Sequence, residues 1–516
     1  MGRRITFNIT KLGASHVKSG KPCQDYSLSW ESEDKQVQVA IVCDGHGGDT
    51  YVRSDMGARL AAEIALSKIQ SFINSVSPTL FIGKSAAVTA RPSEEEDILF
   101  PIAKKKKQKD LTESEQQQLE QDEAFYAAVA PIREQDALFV RLFASIYIQW
   151  LTEIQKNANE HPFSDEEKAC LKNAKLVKAY GTTLMAFVRT PLYWFAFHIG
   201  DGKLLSCDRN FNWCEPVPWD CNCFLNMTTS LCNSNPIPMF RYAFSGKGDF
   251  PTAVVMGSDG LDDSWGTIEK LQNFYSQTLT IFNDLGEEKA VEELSDYLPR
   301  LSEKASRDDM SMAGIIDMDE IKEGASVYNI RRKLDLLQQE KVARETELSK
   351  LKELCGQLRQ DVKTLTTDIA KDKEALSIWW TSLLNTKDAK DNQLQLKENE
   401  LFKKRKQEEE HCKIYDEKFI SYQNWLEKAK KDREELKVTY DNLLKSNESR
   451  EKAMLDDWER VKASFEQQEK LKYQEVIKEK AIQMEQYNDE ALKALLEQSD
   501  NQESNAQEEV QNDKEQ

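Results

Sequence analysis

Hydrophobic and polar positions divide this chain into two stretches with different periods. Residues 5–12 and 26–30 read as short strands around a polar turn over 15–25. Residues 37–43 form a continuous apolar run of strand length, closed by Asp44-Gly45-His46-Gly47-Gly48. Over 50–73 the spacing turns helical, with Val52, Met56, Leu60, Ile64 and Ile69 on one side. Residues 76–124 hold Pro78, Pro92, Pro101, a lysine run at 104–107 and a Glu/Gln tract, and read as a surface insertion. Helical spacing returns over 127–156. From 182 the pattern predicts strands over 182–189 and 193–199, a hairpin around Thr190-Pro191-Leu192, and a strand over 203–207 after the turn Asp201-Gly202. A strand over 253–256 stops at Ser258-Asp259-Gly260, a helix fills 287–304, and 310–316 is the last strand. Strands and helices mixed in this order predict an α+β domain with antiparallel sheets.

The second stretch is helical throughout. From Val327 a heptad runs through the a positions Leu334, Lys341, Leu348, Cys355, Val362, Ile369, Leu376 and Leu383. Its d positions are Ile330, Leu337, Arg344, Leu351, Leu358, Leu365, Asp372 and Trp379. A seam this long predicts a coiled coil. Residues 385–392 are polar and break the register, after which Tyr415, Phe419, Tyr422, Leu426, Leu436, Tyr440 and Leu443 resume the spacing. The break allows an antiparallel hairpin within one chain, the favoured reading, or a parallel dimer with a stutter. The Trp379-Trp380 pair is expected to pack in the seam. The organisation read from the sequence is therefore a globular domain over 1–318, a coiled-coil region over 325–496, and a disordered acidic tail over 497–516.

Composition sharpens that boundary. All 13 prolines lie at or before Pro299, and the region after 321 is dense in both signs of charge, as in a long solvated helix. A net charge of −19 argues against nucleic acid as partner. No run of 18 apolar residues occurs, so no membrane span is expected. The opening MGRRITFNIT has no apolar core of a secretory signal, which makes a reducing cytoplasm the expected setting. Cys207, Cys214, Cys221, Cys223 and Cys232 cluster in sequence but lack paired C-x-x-C spacing, so zinc is not expected there.

Four aspartates stand at the ends of predicted strands beside glycine or another acid: Asp44, Asp201, Asp259 and Asp308. Each Asp-Gly pair alone is an ordinary turn signal. Several carboxylates brought to one place repel one another unless a cation neutralises them, and oxygen-only ligation favours Mg²⁺ or Mn²⁺.

The joint order of the motifs resembles the type-2C metal-dependent serine/threonine protein phosphatases. It runs through Gln24-Asp25, Asp44 to Gly48, Gly181-Thr182-Thr183, Gly200-Asp201, Asp259-Gly260-Leu261-Asp262-Asp263 and Asp308-Asp309-Met310-Ser311, and spans about residues 5–317. The resemblance implies two packed antiparallel sheets flanked by helices. It implies that Asp44 bridges two ions, that the Gly45 carbonyl adds a ligand, and that Asp259 and Asp308 complete the first ion's set. Asp201 and Asp263 match the positions of a third, looser ion, and His46 matches the proposed general acid. The implied reaction is hydrolysis of phosphoserine or phosphothreonine in a protein substrate by a hydroxide held between the ions.

Two positions depart from the family. Gln24 stands where many relatives carry a glutamate ligand, leaving Asp25 to hold the second ion. The phosphate-binding arginine is absent, with Lys18 and Lys21 the nearby cations. The alternative to an active phosphatase is an inactive phosphatase-like scaffold acting through the coiled coil, whose role in either case is partner recruitment or self-association.

Overall fold

In the computed structural model, residues 3–89, 133–220, 222–223, 227–379 and 387–512 are described, the side chains of 378–379, 387–390 and those after 480 excepted. The elements run β1 (Arg4–Lys11), α1 (Ala14–Ser19), β2 (Tyr26–Glu31), β3 (Gln38–Cys43), α2 (Ser54–Ser75), β4 (Ser85–Val88), α3 (Arg133–Glu160), α4 (Asp165–Leu171), α5 (Leu176–Ala179), β5 (Leu184–Arg189), β6 (Trp194–Ile199), β7 (Lys203–Cys207) and β8 (Trp213–Cys214). They continue with β9 (Arg241–Ser245), β10 (Ala253–Gly257), α6 (Asp259–Trp265), α7 (Ile268–Leu285), α8 (Glu287–Lys304), β11 (Met310–Asp317), α9 (Ile321–Trp379) and α10 (Lys387–Asn512).

β3 shows why the central strands are apolar without alternation. Its whole length is buried, because one face meets helices and the other meets a second sheet. The strand orders are β2-β3-β5-β6-β9-β4 and β1-β11-β10-β7-β8, and every paired strand is antiparallel. Ala40, Val42, Met185, Phe187, Val254, Met256 and Ile315 fill the space between the sheets. α2 and α3 cover the outer face of the first sheet, and α7 and α8 cover that of the second. Two antiparallel sheets flanked by helices are thus the fold, followed by a long helical region.

Several local readings differ from what is found. The polar turn over 15–25 contains the short helix α1. α2 buries Ile64 and Ile69 of the expected stripe and, beside them, Gly57, Ala58, Ala61, Ala62 and Ala65, since α3 lies so close that Trp150 Nε1 donates to the Gly57 carbonyl at 3.0 Å. The described part of the 76–124 segment is not all surface: Phe81 is fully buried, and β4 extends the first sheet beside β9. The rest of that segment, including the lysine run, lies outside the described residues, as do the start of the helix expected from 127, Cys221, Trp380 and the first part of the break at 385–392. α3 is the one described helix long and apolar enough to cross a membrane by composition, yet Phe139, Phe143, Ile146, Trp150 and Ile154 belong to the core, and it is a core helix.

α9 and α10 pair antiparallel. Tyr422 donates to Glu345 at 2.7 Å and Lys418 meets Glu347 at 3.0 Å; further out, Lys397 meets Asp372 at 2.6 Å and Lys373 meets Glu398 at 2.7 Å. Polar seam positions find partners: Asp372 has Lys397, and Arg344 lies over the Trp425 ring, 5.0 Å from its centroid. α10 then passes along the globular domain. Asn447, 1% exposed, donates to Asn210 at 2.6 Å, and Arg450 meets Glu323 at 2.6 Å. Trp458 donates from its indole to the Leu192 carbonyl at 3.2 Å, and Val461 and Phe465 join the core beneath. The helix continues to Asn512 through the tail expected to be disordered, because that stretch has no Gly or Pro to stop it.

Candidate active site

The site is assembled at one end of both sheets. At the end of β3, the Asp44 carbonyl accepts from Thr183 N at 2.8 Å and from the Thr182 hydroxyl at 2.9 Å, while Asp44 N donates to the Thr183 hydroxyl at 3.0 Å. The two threonines that open β5 thereby fix the backbone of Asp44 and free its carboxylate. Gly45 is required next, since a Cβ there would fall 2.3 Å from the Gln24 carbonyl. Gln24 Nε2 holds the following turn through the His46 carbonyl at 3.1 Å and the Ser54 hydroxyl at 2.6 Å, leaving Oε1 buried without a partner.

Asp259 opens α6 directly after β10, and Asp308 precedes β11, the neighbour of β10. Gly260 lets these two strand ends close up, for a Cβ there would sit 2.1 Å from the Asp309 carbonyl. Sequence pattern read Asp259-Gly260 as a turn, whereas the residues begin a helix. Asp201 occupies the tight turn between β6 and β7, and Asp25 leads into β2.

These carboxylates feel one another. Asp25 is raised well above the usual carboxylate range by burial, with Asp309, Asp259 and Asp308 adding to it and a hydrogen bond from Ser258 opposing. Burial likewise raises Asp44, helped by Asp259 and Asp25. Asp259 is pushed up to about 6, first by burial and then by Asp201, Asp308 and Asp263. Asp201 is raised by burial, with Thr228 opposing. Asp44 and Asp259 interact directly, and the Asp259 charge helps to raise Asp44.

The repulsion among these acids and the unpartnered, buried Asp25 Oδ2 are what a divalent cation would relieve and satisfy, so the donor set fits a hard cation bound through oxygen. Among the described residues no three His, Cys, Asp or Glu side chains converge tightly enough to chelate an ion by themselves.

A stability prediction follows from the raised carboxyls. In cation-stripped protein the folded state holds the Asp259 proton more tightly than the unfolded state, whose value is near 3.8. The stabilising effect of protonation is therefore complete below about 4 and is lost as pH rises through about 6, at a cost on the order of 3 kcal/mol for this group. Chelated protein is expected to melt lower at pH 7.5 than at pH 5, with Mn²⁺ restoring the difference. A melting temperature that climbs with pH under chelator would contradict it.

Burial and the Lys178 charge hold His46 down at about 4. Its Nε2 lies 2.7 Å from the Ser230 hydroxyl, and its ring meets Tyr51 edge-on at 4.7 Å between centroids. Lys21 reaches the turn, with Nζ 3.4 Å from the Gly47 carbonyl; Lys18 stays exposed on α1, and Asp263 is exposed on α6. Sequence reasoning gave no role to Asp309. It accepts from Gly13 N and Gln24 N, each at 2.6 Å, and pairs with His16 Nδ1 at 2.9 Å, tying the segment before β2 to β11. The adjacent acids of Asp308-Asp309 were the available signal.

The protein phosphatase 2C pattern matches residues 12–299. The chain belongs to this family of protein serine/threonine phosphatases. Among solved structures, the S. agalactiae serine/threonine phosphatase aligns at 15% identity and a TM-score of 0.33, over 61% of this chain and 99% of its own. Stp1 from Staphylococcus aureus aligns at 12% identity and a TM-score of 0.33, over 61% and 95%. The catalytic domain of PstP in complex with two manganese ions aligns at 13% identity and a TM-score of 0.32, over 61% and 97%. No curated protein matches the sequence.

Proposed function

We propose that this protein hydrolyses phosphoserine and phosphothreonine in protein substrates with Mn²⁺ or Mg²⁺ bound at Asp44, the Gly45 carbonyl, Asp259 and Asp308. Asp25 serves the second ion, and Asp201 and Asp263 serve a third. The observation that carries this reading is the gathering of Asp25, Asp44 and Asp259, acids whose charges repel one another, beside the unpartnered Asp25 oxygen. A scaffold has no need of such mutual repulsion. Bound cations supply a water of lowered pKa and positive charge opposite the phosphoryl oxygens. The chain's own part is placement: Thr182 and Thr183 fix Asp44, and Gly260 lets Asp308 approach Asp259.

Lys21, at the lip of the turn, neutralises substrate phosphate as a point charge without the bidentate grip of arginine. His46 is neutral in the resting protein. Its proposed service as proton donor to the leaving serine or threonine oxygen rests on the dianionic phosphate ester, whose charge raises the imidazole pKa when substrate arrives. The α9–α10 pair is assigned to partner recruitment or self-association.

Phosphothreonine peptide hydrolysis with Mn²⁺ or Mg²⁺, with and without chelator, tests the reading. Turnover that chelator abolishes and Mn²⁺ restores is expected. Folded protein without turnover in either metal would move the function to an inactive scaffold.

A further inference from the structure

Midway along the helix pair, far from the carboxylates, lie two thiols. Cys355 on α9 is buried in the seam, and Cys412 on α10 is half-buried. Contacts on either side fix the register between them. Toward the tip, Arg359 Nε meets Glu408 at 3.4 Å and Lys404 pairs with Asp361. Toward the domain, Lys418 meets Glu347 at 3.0 Å and Tyr422 donates to Glu345 at 2.7 Å. Antiparallel helices pinned at those points set Cys412 directly across from Cys355. Arg359 Nη2 donates to Cys412 Sγ at 3.6 Å, holding that sulfur at the face turned to α9. Burial, the neighbouring Cys412 sulfur and Asp416 hold the Cys355 thiol above its usual range, with Arg359 opposing, so Cys355 keeps its proton.

We propose that Cys355 and Cys412 form a site of reversible oxidation, closing to an intrachain disulfide when the protein meets a hydroperoxide. The more accessible Cys412 reacts first. Its sulfur attacks the terminal oxygen of the hydroperoxide and the O–O bond breaks. The departing oxygen takes a proton to become an alcohol, or water if the oxidant is hydrogen peroxide, and Cys412 is left as a sulfenic acid. The Cys355 sulfur then attacks the Cys412 sulfur and the S–O bond breaks. The hydroxide leaves with the Cys355 proton as water. Two thiols are oxidised by two electrons, and one hydroperoxide is reduced. The register sets the two thiols side by side, and a disulfide between them requires Cα atoms within about 7 Å. The bond ties α9 to α10 halfway out, so the pair cannot open or exchange a helix with a second copy.

The test uses the full chain with the exposed cysteines removed (Cys170→Ser, Cys214→Ser), hydrogen peroxide as probe, and peptide mapping after differential alkylation. A Cys355–Cys412 cross-link is expected in a species of single-chain mobility, reversed by dithiothreitol. In Cys355→Ser the cross-link vanishes and a sulfenic acid trappable by dimedone accumulates at Cys412. Arg359→Gln is expected to slow cross-linking several-fold. Chains that retain helical circular dichroism yet leave both thiols alkylatable would overturn the proposal. So would a Cys412 disulfide between two chains. Neither result bears on phosphatase activity, which is read separately.

Discussion

Asp44→Asn is expected to lower metal-dependent hydrolysis of a phosphothreonine peptide by about 10³-fold or more, the scale of losing a group that places transition-state charge. Asn keeps the size of Asp and leaves the Asp44 backbone bonds to Thr182 and Thr183 intact, because those use main-chain atoms. What disappears is the negative charge assigned to both ions. The same change relieves repulsion with Asp259 and Asp25, so the cation-free protein is expected to become more stable above pH 6. Activity and stability should therefore move in opposite directions, read by initial rates and by thermal melting under chelator. A variant that keeps wild-type rates would remove Asp44 from the ion site.

Trp458→Ala is expected to detach α10 from the globular domain at a cost of about 3–5 kcal/mol. The indole is 6% exposed and donates to the Leu192 carbonyl. It packs where Gly248, at φ +84°, leaves room that a side chain would fill, since a Cβ there would fall 2.9 Å from the ring. Asn447 and Arg450 hold the helix about two to three turns earlier, so detachment should begin at Trp458 and spread toward the C-terminus. Limited proteolysis should then cut α10 beyond residue 450, while peptide hydrolysis stays near wild type because Leu192 is at the opposite end of β5 from Thr183. Equal protease resistance in the two proteins would show that the tryptophan does not anchor the helix.

The sequence was most informative where one residue type does one job. Apolar runs such as β3 announced strands buried on both faces, and Asp-Gly pairs after them marked strand ends where a carboxylate is held and presented. The heptad announced the seam of α9, with the polar Asp372 explained only by its partner Lys397 on the other helix. Less legible were groups whose work depends on distant chain. Asp309 is saturated by Gly13, Gln24 and His16, nearly 300 residues away, so no local spacing distinguishes it from Asp308. The His46 pKa depends on enclosure and on Lys178 from another helix. β4 escaped notice because a short edge strand of alanines carries little periodicity.

α9 and α10 are rooted at the pole away from the carboxylates, where Arg331 of α9 donates to Asn210 and Asn212. From there to Trp379 the helix extends about 70 Å at ~1.5 Å per residue. A linker raises the encounter rate of a tethered target only if its span lets both sites be engaged at once. This one is stiff, and Trp458 and Asn447 clamp its base. A compact protein held at the tip would gain no local concentration at the catalytic centre of the same molecule. Substrates captured there must carry their phosphorylated residue on a long flexible segment, or be presented to the head of a neighbouring copy.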